Sequence, residues 1–156
     1  MKKKTPLIIL FIMFINITAC SGYKPIFVSS NFNFEITDYS IEGDRKIGKQ
    51  IYYKLLNHSK SNENKGEIKS IYITIKALKE KNATAKDSAG KILEYKMTLN
   101  TQVIVKNYLT NENILDRKFN LSTSYKTQER FSETIILETK SIEDLLNRTY
   151  QELLIE

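Results

Sequence analysis

Cys20 is the only cysteine in the chain and the side chain best placed to do chemistry. It follows Ile17, Thr18 and Ala19, an aliphatic residue and two small ones. Upstream lie the unbroken apolar run Leu7 to Ile15 and the charged start Lys2, Lys3 and Lys4. That layout is a secretory leader over residues 1–19, too short to cross a bilayer as a mature helix. A cysteine directly after it completes the bacterial lipobox pattern. The small residues let extended chain enter a peptidase site, the thiolate takes up a diacylglycerol as a thioether, and the freed amine accepts a further acyl chain. Several chains anchor a protein where one is marginal. The other reading of Cys20 is an ordinary buried thiol, which its place at the end of the apolar run disfavours. Ser21 stands where aspartate would favour the inner membrane, so the expected location is the outer membrane, facing the periplasm.

The rest of the chain offers little for catalysis. A single cysteine rules out an intramolecular disulfide and a cysteine-based zinc site. His58 is the lone histidine and closes a predicted helix, where the dipole favours an imidazolium cap. There is no glycine-rich phosphate loop, no Gly-x-Ser-x-Gly elbow and no acidic cluster dense enough for calcium. Glu133, Glu138, Glu143 and Asp144 read as the solvated face of a helix. The expectation is therefore no catalytic residue, no metal, no cofactor and no enzyme. What remains is lysine: Lys76, Lys96, Lys106, Lys118 and Lys126 fall on the polar side of predicted strands. There, ammonium groups can meet phosphates or sugar acids of an amphiphile as point charges. Equally, they keep a strand face solvated and discourage edge pairing. The net charge of +6 falls to about +3 without the leader lysines, too little to point to nucleic acid.

The elements that position these residues follow from periodicity. Residues 20–33 form a polar tether with Pro25, Ser29 and Ser30, and residues 34–156 form one domain. Phe34 to Ile41 is β-prone, with a phase slip before Tyr39 that a bulge explains. Gly43 and Asp44 supply a turn and an N-cap for a helix over Arg45 to Asn57, striped by Ile47, Ile51 and Leu55. Ser59 to Gly66 reads as a loop. Ile71, Ile73, Ile75 and Ala77 alternate with Tyr72, Thr74, Lys76 and Leu78. After a turn at Asp87 to Gly90, Leu93, Tyr95, Met97, Leu99, Thr101, Val103 and Val105 share one face. After Asn111 to Asn113, so do Leu115, Phe119, Leu121, Thr123 and Tyr125. From Ser132, the expected N-cap, the period becomes helical, through Ile135, Ile142, Leu145, Leu146, Thr149 and Leu153. The predicted fold class is α+β, two helices on one face of a four-stranded mixed sheet, order β-α-β-β-β-α, with a polar open face.

With that order in hand, Ala19-Cys20-Ser21-Gly22-Tyr23-Lys24-Pro25-Ile26-Phe27 resembles the start of mature lipopolysaccharide-assembly lipoproteins of the LptE family. The alphaproteobacterial kind often reads Cys-Gly-Phe-x-Pro-Leu-Tyr; here Ser21 is inserted after the cysteine. Asp44 to Gln50 is similar too, since the family tends to open its first helix with an Arg, a Gly and a Gln. The resemblance implies a non-enzymatic subunit that sits in the lumen of the LptD outer-membrane β-barrel, one to one, and assists its assembly. It also implies help for lipopolysaccharide on its way to the outer leaflet. It places Tyr23, Pro25 and Phe27 near the membrane or barrel wall. The competing expectation is a free-standing lipoprotein that binds a small ligand or lipid in an apolar pocket.

If Cys20 is the acceptor, Cys20→Ser blocks acylation. In a bacterial host fed radiolabelled palmitate, the wild-type chain takes up label and the variant takes up none.

Overall fold

Alternating apolar residues commit each strand to one buried face. In the structure, a computed structural model that describes residues 33–61 and 68–155, four such strands share one sheet. The chain runs β1 (Asn33–Gly43), α1 (Arg45–Ser61), β2 (Ile68–Lys86), β3 (Ile92–Asn107), β4 (Asn113–Lys126) and α2 (Phe131–Ile155). Strand order follows sequence order, with β1 parallel to β2 and the other neighbours antiparallel. This is the expected two-helix, four-strand arrangement. The register slip of β1 lies between Ile36 and Asp38, where the bulge is expected.

Burial follows the period of two. Ile71, Ile73 and Ile75 of β2 are fully buried, as are Met97, Val103 and Val105 of β3. Leu115, Phe119, Leu121 and Tyr125 extend the same face across β4. Over them lie Ile47, Ile51 and Leu55 from α1, and Leu145, Leu146, Thr149 and Leu153 from α2, in one core. α1 packs on β1 and β2, α2 on β4 and β3. Between the helices Lys54 Nζ donates to Asn147 Oδ1 at 2.9 Å and lies 5.4 Å from the centre of the Tyr150 ring.

The corner after β1 sets both the sheet edge and the angle of α1. Gly43 has φ +82°, and a Cβ there would fall 2.2 Å from the carbonyl oxygen of Ala77. Only glycine fits so close to a neighbouring strand in that conformation. The next amide, of Asp44, donates to the same Ala77 oxygen at 2.7 Å, and the Asp44 carboxylate accepts from the amides of Lys46 and Ile47. Asp44 is the expected N-cap, and it closes β1 at the level of Ala77.

Several boundaries differ from expectation, each for a physical reason. β2 runs to Lys86 although nothing apolar alternates after Ala77, because β3 pairs with it as far as Ile92. Leu93 stays 43% exposed and Tyr95 half-buried, since the apolar face there outruns the helices. α1 continues to Ser61, which places His58 in its last turn and Ser59 inside the helix. Ser132 is not the N-cap of α2: the helix begins at Phe131, and the Arg130 carbonyl accepts from the amides of Glu133 and Thr134. The buried Thr134 hydroxyl in turn accepts from the Gln128 amide at 2.9 Å. The α2 stripe therefore starts at Thr134, and Ile135 is 41% exposed.

Gly48 lets α1 approach β1: an added Cβ would stand 2.4 Å from Ile41 Cγ2. Gly48→Ala is expected to destabilise the fold by about 1–3 kcal/mol through overpacking. In an Ile41→Ala background the same change should become neutral or stabilising, because alanine is the better helix former by about 1 kcal/mol. Urea unfolding of the four proteins measures this reversal of sign.

Candidate functional site on the open sheet face

The register decides which polar side chains share a row on the uncovered face. Starting from the β3–β4 turn, one row holds Asp38, Tyr72, Lys106 and Asn113; the next holds Ser40, Thr74, Ile104 and Asp116; the next Glu42, Lys76, Gln102 and Lys118. Beyond them come Leu78, Asn100 and Asn120, then Glu80, Thr98 and Ser122, then Asn82, Lys96 and Ser124, and finally Glu94 with Lys126. Neighbours within and between rows bond to one another. Ser40 Oγ donates to Thr74 Oγ1 at 3.1 Å, Lys76 Nζ lies 3.0 Å from Glu42 Oε2, Gln102 Nε2 donates to Asp116 Oδ1 at 2.6 Å, and Asn120 Nδ2 donates to Asn100 Oδ1 at 2.6 Å.

Where β1 stops at Gly43 the twisted sheet makes a trough of about 510 Å³, open to solvent. Its sides are Lys76, Gln102 and Lys118 on one row and Leu78, Asn100 and Asn120 on the next, with Glu42 and Gly43 at the end of β1. No helix residue lines it. The volume suits one small ligand or part of a larger amphiphile. Leu78, 54% exposed, offers carbon, the amides offer hydrogen bonds, and two lysines face each other across β3.

The five candidate lysines are thus on one face but not in one site. Lys76 and Lys118 border the trough. Successive rows are about 6.6 Å apart, so Lys106 stands about 13 Å to one side, and Lys96 and Lys126 about 20 Å or more to the other. Glu42, Glu80, Glu94 and Asp116 stand among them, so the face carries mixed charge. Cys20, Tyr23, Pro25 and Phe27 lie outside the described residues. Sequence reading missed Glu42 and the pairing of Asn100 with Asn120, because alternation gives the face and only cross-strand register gives the neighbour.

The main cluster of shifted ionisable groups lies on the opposite, helix-covered face. Lys81 Nζ contacts Glu138 Oε2 at 2.5 Å, sits 4.3 Å from the centre of the Tyr95 ring, and shares Glu138 with the Tyr125 hydroxyl, which donates at 3.2 Å. Burial works against the Lys81 ammonium, but its bonds to Glu138 and Tyr125 outweigh that and raise its pKa. Burial likewise pushes the Glu138 carboxyl up, and Lys81 more than reverses it, so the net shift is down. This cluster clasps the first half of α2 to the β2–β3 hairpin where apolar cover ends. Among the described residues no group of three or more His, Cys, Asp or Glu could hold a metal ion, and no helix is long and apolar enough to cross a membrane.

Sequence comparison finds no matching family model and no matching curated protein. Solved structures do match. The crystal structure of rare lipoprotein B from Shewanella oneidensis superposes with a TM-score of 0.51 at 12% identity, covering 75% of this chain and 90% of that one. The solution structure of lipoprotein B from Nitrosomonas europaea gives 0.53 at 13% identity, covering 86% and 88%. At such identities the likeness shows a shared fold.

The clasp gives a pH signature. Because the Glu138 pKa is depressed in the folded state, its contribution is present above the unfolded value of 4.5 and lost as pH falls through the lower folded value. Glu138→Gln should cost about 1 kcal/mol at neutral pH, and the difference should vanish well below pH 4.5. Urea midpoints of the two proteins at neutral and acid pH measure it.

Proposed function

We propose that this chain is an outer-membrane lipoprotein, anchored through Cys20, that serves as a non-enzymatic subunit of lipopolysaccharide assembly with the LptD β-barrel as its one-to-one partner. The observation that carries the reading is the uncovered polar face with a trough between Lys76 and Lys118, in a chain whose lipobox leads straight into Gly22 to Phe27. A subunit held in a water-filled barrel needs an outside that tolerates water on the sheet as well as on the helices. A trough with two ammonium groups beside exposed carbon suits a phosphorylated amphiphile, whose headgroup meets charge while its first carbons meet Leu78. The two solved lipoproteins B share the fold, which supports the reading at the level of architecture.

The volume of the trough also favours a second reading, a free-standing lipoprotein that binds a small ligand or lipid. The two readings part on stoichiometry. Full-length tagged protein is drawn from membranes in mild detergent, and what survives a high-salt wash is identified by mass spectrometry. The LptD barrel should appear in equal amount. A lone lipoprotein overturns the assembly reading and leaves the second. Lys76→Gln with Lys118→Gln should lower co-purified lipopolysaccharide severalfold while the barrel remains; lipopolysaccharide that is unchanged removes the trough from the mechanism.

A further inference from the structure

The β3–β4 turn is built in a way the trough does not explain. Leu109 is 84% exposed, Tyr108 beside it 49% and Ile68 64%. All three stand at the same end of the sheet, because the Tyr108 amide donates to the Ser70 carbonyl at 2.9 Å and Ile68 opens β2 two residues earlier. Scattered exposed apolar side chains need no explanation, but these three lie at one end of the sheet, beside a turn whose backbone N–H groups are already occupied.

Every backbone N–H from Asn107 to Asn111 has an acceptor within the protein. The Asn107 amide donates to the Glu112 carbonyl, the Leu109 and Thr110 amides to the Asn107 side-chain oxygen, and the Asn111 amide to the Asn107 carbonyl. Asn111 takes φ 58° to close the ring. A turn saturated in this way can leave water without stranding donors, whereas an unpaired buried amide is costly. Its polar collar limits the depth. Thr110 donates to the Glu112 carboxylate at 3.0 Å, and Lys106 sits just behind. Leucine and tyrosine ahead of such a collar is the composition of a shallow interfacial anchor.

The place of this turn names its occupant. Asn33, where β1 begins, pairs with Ile68, so the anchored chain enters the domain beside Ile68, Tyr108 and Leu109. The residues from Cys20 to Phe32 reach at most about 45 Å. That leash keeps this end near the bilayer but does not orient a sheet whose β3 is itself about 53 Å long. We infer that Ile68, Tyr108 and Leu109 dip into the headgroup region of the membrane that holds the lipid, and that they stand the strands on end with the β2–β3 hairpin pointing away. The inference rests on the lipid-anchor part of the proposed function and describes the anchored domain outside the barrel, whose wall would separate a domain in its lumen from the lipid.

The opposite end supplies the control, because Ile136 is 65% exposed near the start of α2. The full chain, matured in a bacterial host as Leu109→Cys or Ile136→Cys, is labelled with an environment-sensitive thiol fluorophore. It is then reconstituted in vesicles of phosphatidylethanolamine and phosphatidylglycerol in equal amounts. Quenching by lipids spin-labelled just below the headgroup should be severalfold stronger at position 109 than at 136. Equal quenching at both, or none at either, overturns the inference while leaving lipidation intact. The unsubstituted chain distinguishes the other failure: a thioether at Cys20 cannot react, so labelling of that chain would sink the lipid anchor and this inference together.

Discussion

A helix advances about 1.5 Å per residue and a strand about 3.3 Å, so two helices of 17 and 25 residues cannot cover strands of 14 to 19. The molecule is organised around that shortfall. Helices meet strands where Ile71 to Ala77, Met97 to Val105 and Leu115 to Leu121 stack, and there burial is nearly complete. Beyond Ala77, β1 has stopped, α1 has not begun, and only the first half of α2 lies over the hairpin. The side chains adapt: Lys79 and Lys81 replace the isoleucines of β2, and Lys81 with Glu138 and Tyr125 supplies a polar closure where no apolar one is available. A partly exposed ion pair contributes little net stability, but here it fixes the start of a long helix that otherwise touches two strands only.

The shortfall across the sheet matters as much as the shortfall along it. With both helices on one face, the other must be wet, and its side chains satisfy each other in preference to closing over a core. Glu42 with Lys76, Gln102 with Asp116, and Asn100 with Asn120 hold the surface in a fixed pattern. The trough arises where this pattern meets the end of β1, and the end of β1 is set by Gly43 and Asp44. One backbone corner therefore caps α1, frees the edge of β2 and opens the candidate site.

Much of this is written locally in the sequence. The period of two in Leu99 to Val105, the fourfold spacing of Ile47, Ile51 and Leu55, and the Gly43-Asp44 corner each act on their own neighbours, so reading them in order yields the element order and the face each strand buries. What was not legible depends on partners distant in sequence. Residues 79–86 carry no strand pattern and are extended because β3 lies beside them. Ser132 has the chemistry of a cap, but Thr134 and Gln128 make the bond that fixes the entry to α2. The lysines were visible as a class, and only the register separates Lys76 and Lys118 from Lys96 and Lys126.

Distance along the strands separates the β3–β4 turn from the trough. Gln102, in the middle of the trough row, is five residues from Asn107, or about 17 Å along β3. Were the turn at headgroup level, as inferred for the anchored domain outside the barrel, the trough would stand in water above the bilayer surface and not level with the acyl chains. A lipid still seated in that membrane would meet the collar of Lys106, Thr110 and Glu112 first. To reach Lys76 and Lys118 an amphiphile must already have been lifted out or be delivered from the aqueous side.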